Sequence, residues 1–179
     1  NWQFGSGAGF YLDATKEPYY KNYNMYSYIK DELPELIGNN FDFDMSRQSI
    51  FGHSMGGHGA LIIALRNPKN YKSCSAFAPI VEPSTASWSS EAFKKYIGPN
   101  KKDWEKYDSV ALIRDGFYFP EILVDQGEAD SFLDEGLRPW LLEEICRKSK
   151  INLKLRMQSG YDHSYFFIST FMSDHLMWH

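Results

Sequence analysis

In the stretch SIFGHSMGGHGAL, Ser49 to Leu61, a serine stands between two glycines, with an apolar lead-in before it and an apolar run behind. A G-x-S-x-G pattern alone arises by chance, so its surroundings carry the weight. Gln48-Ser49-Ile50-Phe51 reads as a short buried strand, and Met55 to Leu65 as a helix apolar on all sides. Strand, sharp turn and helix put Ser54 on an elbow, where its hydroxyl can attack an acyl carbonyl. Such an elbow needs glycine before and after, because side chains there would collide, and Gly52 and Gly56 occupy those places. Gly57 and Gly59 are expected to let the helix pack close to the sheet.

A serine hydroxyl needs an imidazole to take its proton, and the imidazole needs a carboxylate to fix its tautomer. Of the five histidines, His53 and His58 flank the elbow too closely to reach back, and His175 and His179 lie within or beyond the last predicted helix. His163, in GYDHSY, follows the final predicted strand, where a loop delivers it to the carboxyl edge of a sheet. The carboxylate is expected at Asp130 in DQGEADSFL, just after a predicted strand from Glu121 to Gln126. Asp125 falls inside that strand, and Asp162 stands too near His163 to orient it. Nucleophile, acid and base then follow in chain order, each on a strand-to-helix loop. The Met55 amide, next to the nucleophile at a helix N-terminus, supplies one oxyanion donor. A second donor is expected from a loop after an earlier strand, which this sequence does not show.

The elements that must position these residues alternate. A helix is read over Asn24 to Ile37 with a kink at Pro34, then the elbow pair, then a strand over Lys72 to Ala78. Pro83 to Ser90 reads as a polar loop holding a single Trp88, and Glu91 to Arg114 as short helical pieces broken around Gly98-Pro99. A helix over Gly136 to Lys150 and an alternating strand over Ile151 to Gln158 follow. The final helix, Ser164 to Trp178, carries Tyr165, Ile168, Met172 and Leu176 on one stripe. Strand and helix in turn predict an α/β class with a mainly parallel sheet and helices on both faces. No repeat or linker interrupts residues 1–179, hence one domain is expected. The elbow strand would be a bare apolar edge unless further strands lay beside it, so earlier strands are expected before Asn1.

The 179 residues are 43% hydrophobic and 17% aromatic, enough for one sizeable core. The net charge of -4 and the lack of a basic cluster argue against nucleic acid or an anionic membrane surface. No apolar run approaches a bilayer span, and the opening Asn1-Trp2-Gln3 does not read as a signal peptide. Cys74 and Cys146 have no metal-ligand spacing, which fits a reducing cytoplasm. GSGAGF, Gly5 to Phe10, is followed by extended-looking FYLDAT and not by a helix, so it reads as turn glycines and not as a phosphate cradle. Neither a zinc pattern nor a nucleotide loop is present.

GAGFYLDAT, MYSYIKDELPELI, SIFGHSMGGHGALI, SAFAPI, ILVDQGEAD and GYDHSYFFI together resemble the S-formylglutathione hydrolase, or esterase D, family over essentially the whole chain. The resemblance implies an α/β-hydrolase fold and a cytoplasmic thioesterase that splits S-formylglutathione into formate and glutathione without a cofactor. Carried over by motif, its catalytic residues fall on Ser54, Asp130 and His163. Members of that family resemble this chain only from their middle onward, so a portion with the early strands and the second oxyanion donor is expected to be absent here. A homodimer is left open. The rival enzyme reading is a general carboxylesterase of broad acyl range, and the rival of another class is a non-catalytic interaction module. Trp88 is the candidate for part of a wall that limits acyl size.

Overall fold

The structure, a computed structural model, describes Gly5 and residues 9–179. Ser6, Gly7 and Ala8 of GSGAGF and the opening Asn1 to Gln3 therefore lie outside the described residues. Helix α1, Met25–Ser27, runs through a π-helical turn at Tyr28–Glu32 into α2, Leu33–Asn40. Pro34 explains the widened turn. It has no N–H to offer, and the Leu33 amide donates five residues back to the Tyr28 carbonyl.

Strand β1, Gln48–His53, leads into α3, Met55–Arg66, and β2, Tyr71–Phe77, follows. After α4, Ser87–Tyr96, two short 3₁₀ turns and α5, Ser109–Arg114, comes β3, Glu121–Gly127. Helix α6, Pro139–Ser149, strand β4, Asn152–Gln158, and helix α7, Tyr165–Trp178, complete the order. The four strands are parallel and stand in the order β1-β2-β3-β4, so each neighbours the strand that precedes it in the chain. Among the described residues β1 pairs only with β2, and its outer edge is open, with Phe51 43% exposed.

Side chains of alternate residues reach opposite faces of this sheet. On one face Cys74 donates to the Ala60 carbonyl of α3, and Leu61 to Leu65 of that helix are sealed in the core. On the other face α7 lies over β2 and β3. There Asp125, completely buried, accepts from Arg156 Nε at 2.7 Å, from Gln158 at 3.0 Å and from His175 Nε2 at 3.1 Å. His175 Nδ1 pairs with Ser75 Oγ at 2.8 Å, and Arg156 reaches on to Asp174 at 2.6 Å. This polar network ties α7, β2, β3 and β4 together. The expected helices on both faces of a parallel sheet are therefore present.

Several expectations need correction. Trp88 is not in a loop but in the first turn of α4. The buried positions Ser89, Ala92, Phe93 and Tyr96 repeat at helical spacing, with a serine where an apolar residue would have signalled the start. Helix α6 begins at Pro139 and not at Gly136, because the residue before a proline is pushed out of the helical region; Arg138 has φ 51°. On α7 the buried residues are Phe167 and His175, whereas Tyr165 is 86% and Leu176 59% exposed. Gly59 faces Tyr11 and not the sheet: a Cβ there would lie 2.6 Å from the tyrosine ring.

Candidate active site

Ser54 sits between β1 and α3 with φ 58° and ψ −114°, a conformation that costs a non-glycine residue about 1–3 kcal/mol. The surroundings impose it. Its N–H donates to the Phe77 carbonyl at 2.9 Å, and its own carbonyl accepts from the His58 amide at 2.9 Å. A Cβ at Gly52 would stand 2.3 Å from the Gly56 carbonyl oxygen, so the close crossing of strand and helix depends on that glycine. Gly52→Ala is expected to destabilise the protein by about 3 kcal/mol and to silence Ser54. Thermal melting and labelling by a fluorophosphonate probe check this together; a wild-type melt with normal labelling would contradict it. Met55 is the first residue of α3, so its amide belongs to the helix turn whose N–H groups have no intrahelical acceptor.

Asp130 lies beyond the end of β3 and is 5% exposed. It accepts from His163 Nδ1 at 2.6 Å, from the Phe132 amide at 2.9 Å and from Gln126 Nε2 at 3.2 Å. Burial acts to raise its pKa, but the hydrogen bonds from His163, Phe132 and Gln126 outweigh burial and hold the carboxyl below its ordinary value. An ionised Asp130 only accepts, so His163 carries its proton on Nδ1 and leaves Nε2 free to accept another.

The loop that carries His163 lies across the end of β3. A Cβ at Gly127 would meet the Tyr161 carbonyl oxygen at 2.3 Å, and the Ala129 amide donates to that same oxygen at 2.9 Å. Gly127 is thus a positional requirement that the sequence reading missed; its only signal was a glycine at the end of a predicted strand. Asp162 accepts from the Ser164 amide at 3.0 Å at the start of α7, and has no part in holding His163.

Ser54, Met55 and His163 line one cavity of about 780 Å³, with Tyr11, His53 and Tyr165 also on its wall. Among the described residues Ser54 Oγ has no hydrogen-bond partner, His163 included. Trp88 does not line this cavity. Its ring packs against Phe10, with centroids 5.6 Å apart, and its indole N–H is buried without a partner.

Three of the other histidines, His58, His175 and His179, are engaged elsewhere. His58 is completely buried against the Tyr107 carbonyl at 2.6 Å, and burial pushes its pKa down to about 4. His175 belongs to the Asp125 network, and His179 pairs with Ser73 and Ser75. Among the described residues no group of three His, Cys, Asp or Glu side chains is placed to hold a metal ion. Likewise no helix is long and apolar enough to cross a membrane.

The Esterase family model matches residues 1–177. S-formylglutathione hydrolases of Mus musculus and Rattus norvegicus are 52% and 50% identical to the chain over 182 residues. Each alignment takes in all of this chain and 64% of the relative, so the chain spans just under two thirds of the length of these proteins. The solved structure of an S-formylglutathione hydrolase from Agrobacterium tumefaciens is 64% identical, with a TM-score of 0.97 over 99% of this chain and 64% of that one. A family model that runs almost the length of the sequence, and a backbone that superposes so closely on a solved hydrolase, make this chain a member of the Esterase family with the α/β-hydrolase fold.

Proposed function

We propose that the protein is a serine thioesterase that hydrolyses S-formylglutathione to formate and glutathione through an acyl-enzyme. One observation carries the proposal: the 2.6 Å bond from His163 Nδ1 to a buried Asp130 beside the cavity that Ser54 lines. The identity of 52% to a mouse S-formylglutathione hydrolase supports the choice of substrate.

In this reading Ser54 Oγ attacks the thioester carbonyl carbon while His163 Nε2 takes the hydroxyl proton. Asp130 stays ionised and stabilises the imidazolium. The carbonyl oxygen gains the negative charge and accepts from the Met55 amide. Collapse of the tetrahedral intermediate breaks the carbon–sulfur bond, and glutathione departs with the proton from His163. Water then attacks the formyl-serine, His163 takes its proton and returns it to Ser54, and formate leaves. A hydrogen bond from Ser54 to His163 forms with the acyl group in place, as such bonds commonly tighten only in the complex. Cys74 and Cys146, both free and buried, support a cytoplasmic setting.

Acyl size separates this reading from a carboxylesterase of broad range. Formyl carries only hydrogen on its far side, so a close wall accepts it and rejects larger groups. The full chain is expected to prefer S-formylglutathione over S-acetylglutathione by at least about tenfold in kcat/KM. Equal rates for formyl, acetyl and butyryl thioesters would favour the carboxylesterase. Neither Trp88 nor the Phe10 ring it packs on lines the Ser54 cavity, so any part Trp88 has in that wall is indirect. Trp88→Ala is expected to narrow the preference through that packing, and an unchanged ratio would leave Trp88 as core cover. A fluorophosphonate probe that failed to label Ser54 would favour the non-catalytic module.

A further inference from the structure

The imidazole of His163 is held by more than Asp130. Phe132 meets it edge-on, with centroids 5.1 Å apart and planes at 70°. His53 lies against it at 4.4 Å with planes at 43°. His53 is the last residue of β1, directly before Ser54, so one piece of backbone sets both the candidate nucleophile and a ring that faces the candidate base. Its Nε2 is buried without a partner among the described residues, a deficit that folds ordinarily remove. His58 and His175 bond through at least one ring nitrogen, whereas the His53 ring makes no hydrogen bond among the described residues. What it does make is the contact with His163.

A single hydrogen bond at Nδ1 leaves an imidazole free to swing about that point, because its terminal torsion has broad wells. Two rings pressed on it remove that freedom. We propose that His53 is a positioning residue, which with Phe132 clamps the His163 ring so that Nε2 stays turned toward Ser54 while Nδ1 stays on Asp130. The inference rests on Ser54 and His163 acting as nucleophile and base. Burial first, and then the neighbouring His163, push the His53 pKa down to about 4, so at neutral pH an uncharged ring faces the imidazole that must gain a proton. A cation there would oppose that step.

The test compares kcat and KM for S-formylglutathione and for an aryl acetate in the full chain and in His53→Ala, His53→Phe and Phe132→Ala, with thermal melts alongside. His53→Ala is expected to lower kcat about tenfold or more with KM within about twofold, since misplacement of a catalytic group acts on the chemical step. His53→Phe, which restores a ring, is expected to recover most of the loss, and Phe132→Ala to lower kcat without altering KM. Fluorophosphonate labelling should slow in parallel. A folded His53→Ala with wild-type kcat overturns the clamp, and so does a His53→Phe as impaired as the alanine variant. If His53→Ala does not fold, Phe132→Ala decides, since Phe132 is 48% exposed and an unchanged kcat there overturns the clamp as well. A wild type that is neither labelled nor active overturns the hydrolase reading and this inference with it, whereas an active wild type with unaffected variants overturns this inference alone.

Discussion

Ser54→Ala is expected to lower kcat by roughly 10⁴-fold or more, and His163→Ala to do the same, because nucleophile and base act as one unit. The double variant should be hardly worse than either single one. Asp130→Asn is expected to be severe for a different reason. An amide in place of the carboxylate can donate to His163 Nδ1, which favours the tautomer with its proton on the wrong nitrogen, and it cannot stabilise the imidazolium. Steady-state turnover of S-formylglutathione and probe labelling at Ser54 check all of these. Ser54→Ala protein that kept most of its turnover would refute the assignment of the elbow.

The next largest effect is expected on stability, away from the cavity. Arg156→Met removes the cation paired with Asp125, a carboxylate with no solvent access, and leaves Gln158 and His175 as its partners, the latter bonded on to Ser75. Breaking a buried pair from one side costs about 3 kcal/mol, or roughly 10 °C in Tm for a chain of this size. Acid should act through the same carboxylate. Burial alone would raise the Asp125 pKa, but hydrogen bonds from His175, Arg156 and Gln158 bring it down to about 2, against an ordinary value of 3.8. A depressed folded pKa stabilises the native state fully above the unfolded value, here by about 2 kcal/mol, and that contribution fades as pH falls from about 4 through about 2. Urea unfolding at about pH 5 and about pH 2 should show the loss in wild type. Asp125→Asn should remove this part of the pH dependence, and an unaltered dependence would contradict the assignment.

How much of this was legible in the sequence depended on whether the determining contacts were local. The elbow was, because Gly52, Ser54 and Gly56 impose their own geometry within a few residues and the flanking apolar runs announce strand and helix. Asp130 and His163 were proposed from their place after strands, and their side chains meet at 2.6 Å despite a separation of 33 residues. Helix α4 was misread at its start because Ser87, Ser89 and Ser90 are weak helix formers, while Ser89 is buried through a bond to the Pro83 carbonyl that only the fold creates. In α7 nine of the fourteen residues are apolar and they are spread around the helix, so period alone could not identify Phe167 and His175 as the inward pair. His53 was set aside as a base on sound local grounds. Its contact with His163 arises because the loop after β4 crosses the carboxyl edge of the sheet to reach β1, a long-range encounter with no signature in either segment.

The strand order has a consequence for synthesis. Each strand lies beside the one made just before it, so on the ribosome the sheet can grow in one direction from β1 outward. A nascent chain that has emerged through β2 can already close the turn that carries Ser54, since the Phe77 carbonyl which fixes that turn is then present. The carboxylate arrives one crossover later, and the imidazole only after the last strand. At about 5–20 residues per second, the interval between the emergence of Ser54 and of His163 is on the order of ten seconds. During that interval a serine held in its strained geometry has no partner to deprotonate it, so the reactivity proposed for it waits until His163 has emerged.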